Sequence, residues 1–133
     1  MIDSKFILCA ESVIRDAETN NISIINILES ISAESYPIMI QRSALYTVLT
    51  REEGDDESPD LKFVLYNNDD VIKEHKLRVN FRGKNKTRTI IRLGGLPFDN
   101  PGEAHFAVFI DDRELGRYSI ELNLRDEVEV TSS

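Results

Sequence analysis

The clearest strand pattern in the sequence is the segment Asn100-Pro-Gly-Glu-Ala-His-Phe-Ala-Val-Phe-Ile110. After its turn-forming Asn-Pro-Gly start, apolar side chains occupy every second position: Ala104, Phe106, Val108 and Ile110. Alternation of this kind predicts a β-strand with one face in a core, and Pro and Gly mark the turn that precedes it. The segment therefore predicts a strand that packs against a second apolar layer.

Strand patterns of the same kind recur along the chain and are separated by turn sequences. They lie within residues 6–11, 21–31, 38–50, 60–66, 71–81, 87–93, 104–110 and 118–124. Short strands in this rhythm favour two packed antiparallel sheets over repeated β-α-β units. We therefore predict an all-β chain that folds as an antiparallel, immunoglobulin-like β-sandwich of about eight strands.

A helix over residues 5–18 is the main alternative at the N-terminus. Three residues there are β-branched and no good capping residue precedes them, so we favour a strand. The predicted core consists of the inward-facing apolar residues of the strands: Phe6, Leu8, Ile24, Leu45, Val48, Phe63, Leu65, Leu77, Val79, Ile91, Phe106, Val108, Ile110, Ile120 and Leu122.

Length and composition predict one globular domain over residues 1–133. The chain has 133 residues, is 41% hydrophobic and 30% charged, and contains no segment that reads as a linker. Residues 51–60 hold six acidic side chains and no large apolar one, which predicts a mobile acidic loop. Residues 129–133 are expected to fray.

The N-terminal apolar run is too short for a signal peptide or a membrane anchor. It spans only Phe6 to Ala10, and acidic residues flank it. No stretch approaches the ~20 apolar residues that cross a bilayer. We therefore predict a cytoplasmic protein without a membrane partner, in which the single cysteine, Cys9, stays reduced.

Charge is distributed unevenly, although the formal net charge is −8. Residues 1–72 carry five basic and 14 acidic side chains, and residues 93–133 carry three and nine. Residues 73–92 carry eight basic side chains and one acidic side chain, a net charge of +7. Half of the basic residues therefore lie in a segment that the pattern predicts to be one β-hairpin.

This basic hairpin is the candidate binding site for an anion or an acidic partner. Its candidate residues are Lys76, Arg78, Arg82, Lys84, Lys86 and Arg88. The overall acidity of the protein and the lack of exposed aromatic side chains in the hairpin argue against nucleic acid.

Neutralisation within the fold is the alternative for the same residues. If the loops alternate between the two ends of a sandwich, loops 14–20, 51–60, 82–87 and 111–114 share one end. The acidic side chains of loop 51–60 and of Asp111-Asp112 would then lie beside the basic tip.

The sequence contains few residues arranged for catalysis or metal binding. Three acidic turns, Asp55-Asp-Glu57, Asp69-Asp70 and Asp111-Asp112, leave calcium as a minor alternative, although Asp is common in turns. His75 and His105 lie on different predicted strands, and nucleophile-elbow, P-loop and dinucleotide-binding patterns are missing. We therefore predict a protein that is not an enzyme, without catalytic residues, metal ligands or a cofactor. A hydrolase site assembled from distant residues is the alternative.

Two groups of residues together resemble a known family. The first group is Cys9-Ala-Glu-Ser-Val13, Asn21-Ile-Ser-Ile-Ile25, Ile31 and Tyr36-Pro37, and the second is Pro101-Gly-Glu-Ala-His-Phe106, Val108, Ile110-Asp-Asp and Leu115-Gly116. This layout resembles a bacterial family of small β-sandwich proteins classed as a domain of unknown function. The resemblance covers nearly the whole chain and implies the fold, and it brings no catalytic residues with it.

The leading functional hypothesis is a non-catalytic interaction or accessory module. A small sandwich must protect or pair its exposed strand edges. Residues 21–31 are apolar on both alternating sets, which predicts a buried interface. We therefore expect a protein partner, which can be a second copy of this chain, and keep anion binding by residues 73–92 as the alternative function.

Overall fold

The computed structural model describes residues 1–125, and its regular structure consists of nine β-strands. Their bounds are β1 Asp3–Arg15, β2 Ile22–Ile27, β3 Ser30–Ala33, β4 Ile38–Thr50, β5 Asp60–Asn67, β6 Asp70–Arg78, β7 Lys86–Phe98, β8 Gly102–Ile110 and β9 Arg113–Leu124. Within this range, no helix with the length and apolarity of a membrane span is present. The predicted strand in place of a helix over residues 5–18 is confirmed.

The strands form two sheets that pack face to face. One sheet has the order β2-β1-β4-β7, and the other has the order β3-β9-β8-β5-β6. Strands β3 and β9 pair in parallel, and the remaining pairs are antiparallel. The predicted antiparallel β-sandwich is confirmed, with one parallel pair at an edge.

The order of the strands is that of an immunoglobulin-like domain. In that fold strands A, B, E and D form one sheet, and strands G, F and C form the other, which variable-type domains extend by C′. Strands β1, β4 and β7 take the positions of A, B and E, whereas β9, β8, β5 and β6 take those of G, F, C and C′. Along residues 1–125 no strand takes the position of D, so the first sheet ends at β7.

Alternate side chains of the facing strands meet between the sheets and form the main core. The predicted core positions of β8 are confirmed: Ala104, Phe106 and Val108 are at most 3% exposed, and Ile110 is half-buried at the margin. His105 and Ala107 on the opposite face are buried as well. The register of β8 with β5 places Phe106 opposite Leu65, so the two strands contribute neighbouring side chains to the core.

The predicted inward face of β1 is wrong. Phe6 is 46% exposed, whereas Cys9 is fully buried and Ile7 packs against the main core. Leu8 is buried, but on the outer face of its sheet, beside Tyr46. Both alternating sets of this strand are apolar, so the alternation alone does not choose between the two faces.

The apolar run 21–31 divides into two strands that belong to different sheets. Strand β2 pairs with β1, and β3 crosses to the other sheet and pairs with β9. The division lies beyond Asn26, which has a φ of 54°. The Leu28 N–H donates to the Cys9 carbonyl at this point. The expectation of one strand that is apolar on both faces is therefore wrong.

The predicted β-hairpin over residues 73–92 does not form. Strand β6 pairs with β5 and β7 pairs with β4, so the two strands lie in opposite sheets. Val79 and Phe81 are 5% and 1% exposed, and their burial in the core draws the connecting residues 79–85 across the sandwich. The basic residues therefore lie on a crossover between sheets.

Residues 129–133 lie outside the described residues, and the one-domain assignment stays a prediction.

Replacing the core residue Leu45 should test the packing directly. Leu45→Ala should lower the free energy of unfolding by about 2–5 kcal/mol, because the side chain is 1% exposed and its removal leaves a cavity. Urea denaturation measures the change. Leu124→Ala is the matched control and should cost less than about 0.5 kcal/mol, because Leu124 is 61% exposed. Equal losses in the two variants would contradict the placement of Leu45.

Candidate anion-binding groove

A groove of about 750 Å³ lies where β7 meets the connection from β6. Residues 86–90 of β7 form one wall, and residues 77–82 with Lys84 form the other. Arg15 and Asn20, at the end of the β1–β2 hairpin, close a third side. Tyr46 and Val48 of β4 also line the groove, so four segments of the chain build this site.

The backbone of the crossover turns sharply beside the groove. Arg82 and Gly83 have φ values of 54° and 75°, and the Arg82 N–H donates to the Asn80 side-chain oxygen at 2.8 Å. The Gly83 N–H donates to the Glu57 carboxylate. Glycine and asparagine favour such turns, so this short sequence places the basic side chains of residues 82–86 around a bend.

The β1–β2 hairpin reaches the groove by crossing the outer face of the four-stranded sheet. The register places Leu8, Tyr46 and Ile90 side by side on this face, where Val13 packs in the same apolar cluster. The Arg88 guanidinium donates to the backbone oxygen of Asn20, although β4 separates β7 from β1. This second apolar cluster therefore holds the hairpin end beside β7.

The groove is strongly basic. Six of its lining residues are basic and none is acidic: Arg15, Arg78, Arg82, Lys84, Lys86 and Arg88. Arg78 pairs with Asp60, with Nε 3.0 Å from Oδ1, and this contact lowers the pKa of Asp60 and raises that of Arg78. Arg82, Lys84 and Lys86 form no ion pair with any side chain of residues 1–125.

The acidic loop 51–60 lies against the crossover, as the alternation of loops predicts. The Phe81 N–H donates to the Glu57 carbonyl at 2.9 Å, and Arg51 Nε donates to the Lys84 carbonyl at 2.8 Å. The mobility of this loop stays a prediction. The Glu57 carboxylate accepts from the Gly83 N–H, but neither Arg82 nor Lys84 forms an ion pair with a carboxylate of this loop.

The acidic side chains at this end of the molecule gather in a different pocket. It is lined by Asp55, Asp56, Asp111 and Asp112 together with Met1, Ile2, Ile110 and Arg113. The N-terminal amino group lies 2.7 Å from the Asp55 carboxylate and forms an ion pair with it. In the part of the chain that the structure describes, no three His, Cys, Asp or Glu side chains are grouped to hold a metal ion, calcium included.

Five of the six candidate residues line the groove, and Lys76 does not. Lys76 lies on β6 opposite Lys62 and lines a separate pocket with Asp60 and Asp111. Arg15 lines the groove but was not among the predicted site residues. It reaches the site only because the hairpin crosses the sheet, and no local pattern in the sequence signals that crossing.

The two histidines do not form a catalytic pair. His75 is exposed on β6 and His105 is buried on β8, with β5 between the two strands. The His105 ring stacks on Tyr66 with centroids 4.6 Å apart. Burial and the positive charge of Arg117 lower the pKa of His105, although Glu103 acts in the opposite direction. His105 therefore favours its neutral form in a packed position.

Cys9 is placed as a core residue. It is fully buried in the main core, and burial raises the pKa of its thiol to about 12. A thiol with that pKa is protonated at neutral pH and is a poor nucleophile. Cys9 therefore offers no activated group to either histidine.

Known proteins resemble the chain at the level of family and fold. Residues 5–123 match the family described as a family of unknown function, DUF6941. A solved immunoglobulin-like protein from Pseudomonas aeruginosa is similar to this chain with a TM-score of 0.41 and 14% identity, over 92% of this chain and 97% of that chain. No curated protein matches the sequence. The predicted resemblance to a family of unknown function is confirmed.

Proposed function

The chain belongs to the family DUF6941, whose function is unknown, and we propose that it is a non-catalytic interaction module that binds an anionic partner in the basic groove. The observation that carries this proposal is the lining of the groove, which contains six basic residues and no acidic one. Arg82, Lys84 and Lys86 supply exposed charges for such a partner.

The shape of the groove strengthens the attraction. Apolar side chains, among them Tyr46, Val48 and Phe81, form part of its wall. Charges in a concave site with a low-dielectric wall focus the field and are screened less than charges on a flat surface. Because the rest of the protein is acidic, an anion would be steered to this groove and repelled elsewhere.

A binding role fits the remaining chemistry of the molecule. The protonated thiol of Cys9 and the separated histidines support a protein that binds without catalysing a reaction. We also propose a cytoplasmic location, in which Cys9 stays reduced.

Self-association is a second candidate function and uses a different surface. Ile25 and Ile27 on the edge strand β2 are 43% and 50% exposed, and Phe6 on β1 is 46% exposed. Apolar side chains on an edge strand favour pairing with another chain. A second copy of this chain would bury them.

Charge reversal in the groove tests the proposed anion binding, with sodium tripolyphosphate as the probe. The triple variant Arg82→Glu, Lys84→Glu, Lys86→Glu should bind tripolyphosphate at least about tenfold more weakly by isothermal titration calorimetry, because attraction becomes repulsion. Binding to the unchanged protein should weaken as ionic strength rises.

A second triple variant serves as the control with the same change in net charge. Lys5→Glu, Lys76→Glu, Arg117→Glu alters exposed residues outside the groove and should change the affinity less than about twofold. The proposal is contradicted if the two triple variants lose affinity equally, or if the unchanged protein does not bind the probe.

Sedimentation velocity over a range of concentrations tests self-association. The protein should form a reversible dimer, and the double variant Ile25→Lys, Ile27→Lys should remain monomeric because charges replace the apolar contact. The groove triple variant should dimerise normally. A monomer at every concentration would remove this second candidate.

A further inference from the structure

The basic groove contains an open edge of the four-stranded sheet. Strand β7 pairs with β4 from Phe98, opposite Ile38, to Lys86, opposite Thr50, and pairs with no other strand in residues 1–125. A strand in an antiparallel sheet directs its backbone N–H and C=O groups alternately to its two sides. Residues 86–90 line the groove, and the backbone groups that they direct away from β4 have no strand partner among the described strands.

The groove occupies the place of the absent D strand. In constant-type immunoglobulin domains, strand D pairs with the strand whose position β7 takes. Here the chain passes from β6 to β7 through residues 79–85 without forming that strand. Val79 and Phe81 still seal the core beneath it. Because strand D is absent from residues 1–125, the groove beside β7 is open, while Val79 and Phe81 keep the core closed.

The remaining part of the β7 edge is less suited to pairing. The Lys73 ammonium donates to the Gly94 carbonyl at 3.2 Å, and Pro97 has no backbone N–H. At the other end, β7 begins at Lys86. The open stretch is thus residues 86–90, which extend over about 17 Å as a strand.

Charge decides what can pair with this edge. Basic side chains on an edge strand oppose pairing with a second copy of the same edge, because like charges would meet. Lys86 and Arg88 on β7, with Arg82 and Lys84 across the groove, favour the opposite charge in an incoming chain. An extended acidic segment satisfies both requirements, since its backbone can pair with β7 while its carboxylates meet these cations.

We propose that an extended acidic segment of a partner protein binds in the groove as an added strand on β7, paired with residues 86–90. This inference rests on the proposed anion-binding function and specifies its ligand. Backbone pairing supplies part of the affinity, and the basic side chains select acidic segments over neutral ones.

An eight-residue, fluorescein-labelled peptide of alternating Glu and Thr is the probe, and fluorescence anisotropy measures its binding. Two further peptides carry N-methyl groups on alternate backbone nitrogens, one on the odd and one on the even positions. Each N-methylated peptide keeps all of its carboxylates but lacks the backbone N–H donors along one of its two edges. The unmodified peptide should bind, and one N-methylated peptide should bind at least about tenfold more weakly than the other.

Hydrogen exchange gives an independent readout of strand pairing. Binding of the unmodified peptide should slow exchange at backbone amides within residues 86–90, while an ion held only by side chains leaves them nearly unchanged. The groove triple variant (Arg82→Glu, Lys84→Glu, Lys86→Glu) should no longer bind the peptide. The control triple variant (Lys5→Glu, Lys76→Glu, Arg117→Glu) should bind it as the unchanged protein does.

The possible failures separate the two proposals. If both N-methylated peptides bind as tightly as the unmodified one, strand addition is wrong and anion binding stands. If the peptide fails to bind while tripolyphosphate, an RNA oligonucleotide or vesicles of anionic lipid bind, the inference is likewise overturned and the groove remains an anion site. If neither the peptide nor tripolyphosphate binds, both proposals fail.

Discussion

The pairing of β4 with β7 underlies the main core, the outer apolar cluster and the basic groove. It joins residues 38–50 to residues 86–98, and each strand contributes apolar side chains to both faces of the sheet. Leu45 and Ile91 point into the main core, while their neighbours Tyr46 and Ile90 point outward to the cluster that holds the β1–β2 hairpin. Because β7 has no partner on its other side among the described strands, the same ladder also defines the basic groove.

The sequence was informative about the fold wherever one alternating set was clearly apolar. The burial of Phe106 and Val108 was predicted, because this set alternates and the turn before the strand is marked by Pro and Gly; the burial of His105 and Ala107 on the opposite face was not. Phe6 was assigned to the wrong face because Ile7 and Cys9 offer an equally apolar set. Which sheet a strand joins depends on distant pairing, so the crossing of β3 to β9 left no local signal.

The candidate site was predictable in its charge and unpredictable in its shape. The net charge of +7 on residues 73–92 can be counted directly, and five of the six residues selected from it line the groove. The hairpin assumed for that segment was wrong because β6 pairs with β5 and β7 with β4, so the chain crosses between the sheets through Val79 and Phe81. Arg15 enters the site through tertiary packing alone. The formal charge of −8 therefore describes the protein as a whole and conceals an oppositely charged surface.

The groove at the unpaired edge of β7 is the proposed anion-binding surface of this protein. A titration of the isotopically labelled protein with sodium tripolyphosphate, followed by two-dimensional NMR, tests it most directly. We predict saturable chemical-shift changes concentrated at the backbone amides of residues 82–90 and at Arg15. Shifts that spread evenly over exposed basic residues such as Lys5 and Lys76, or no shifts at all, would contradict the account.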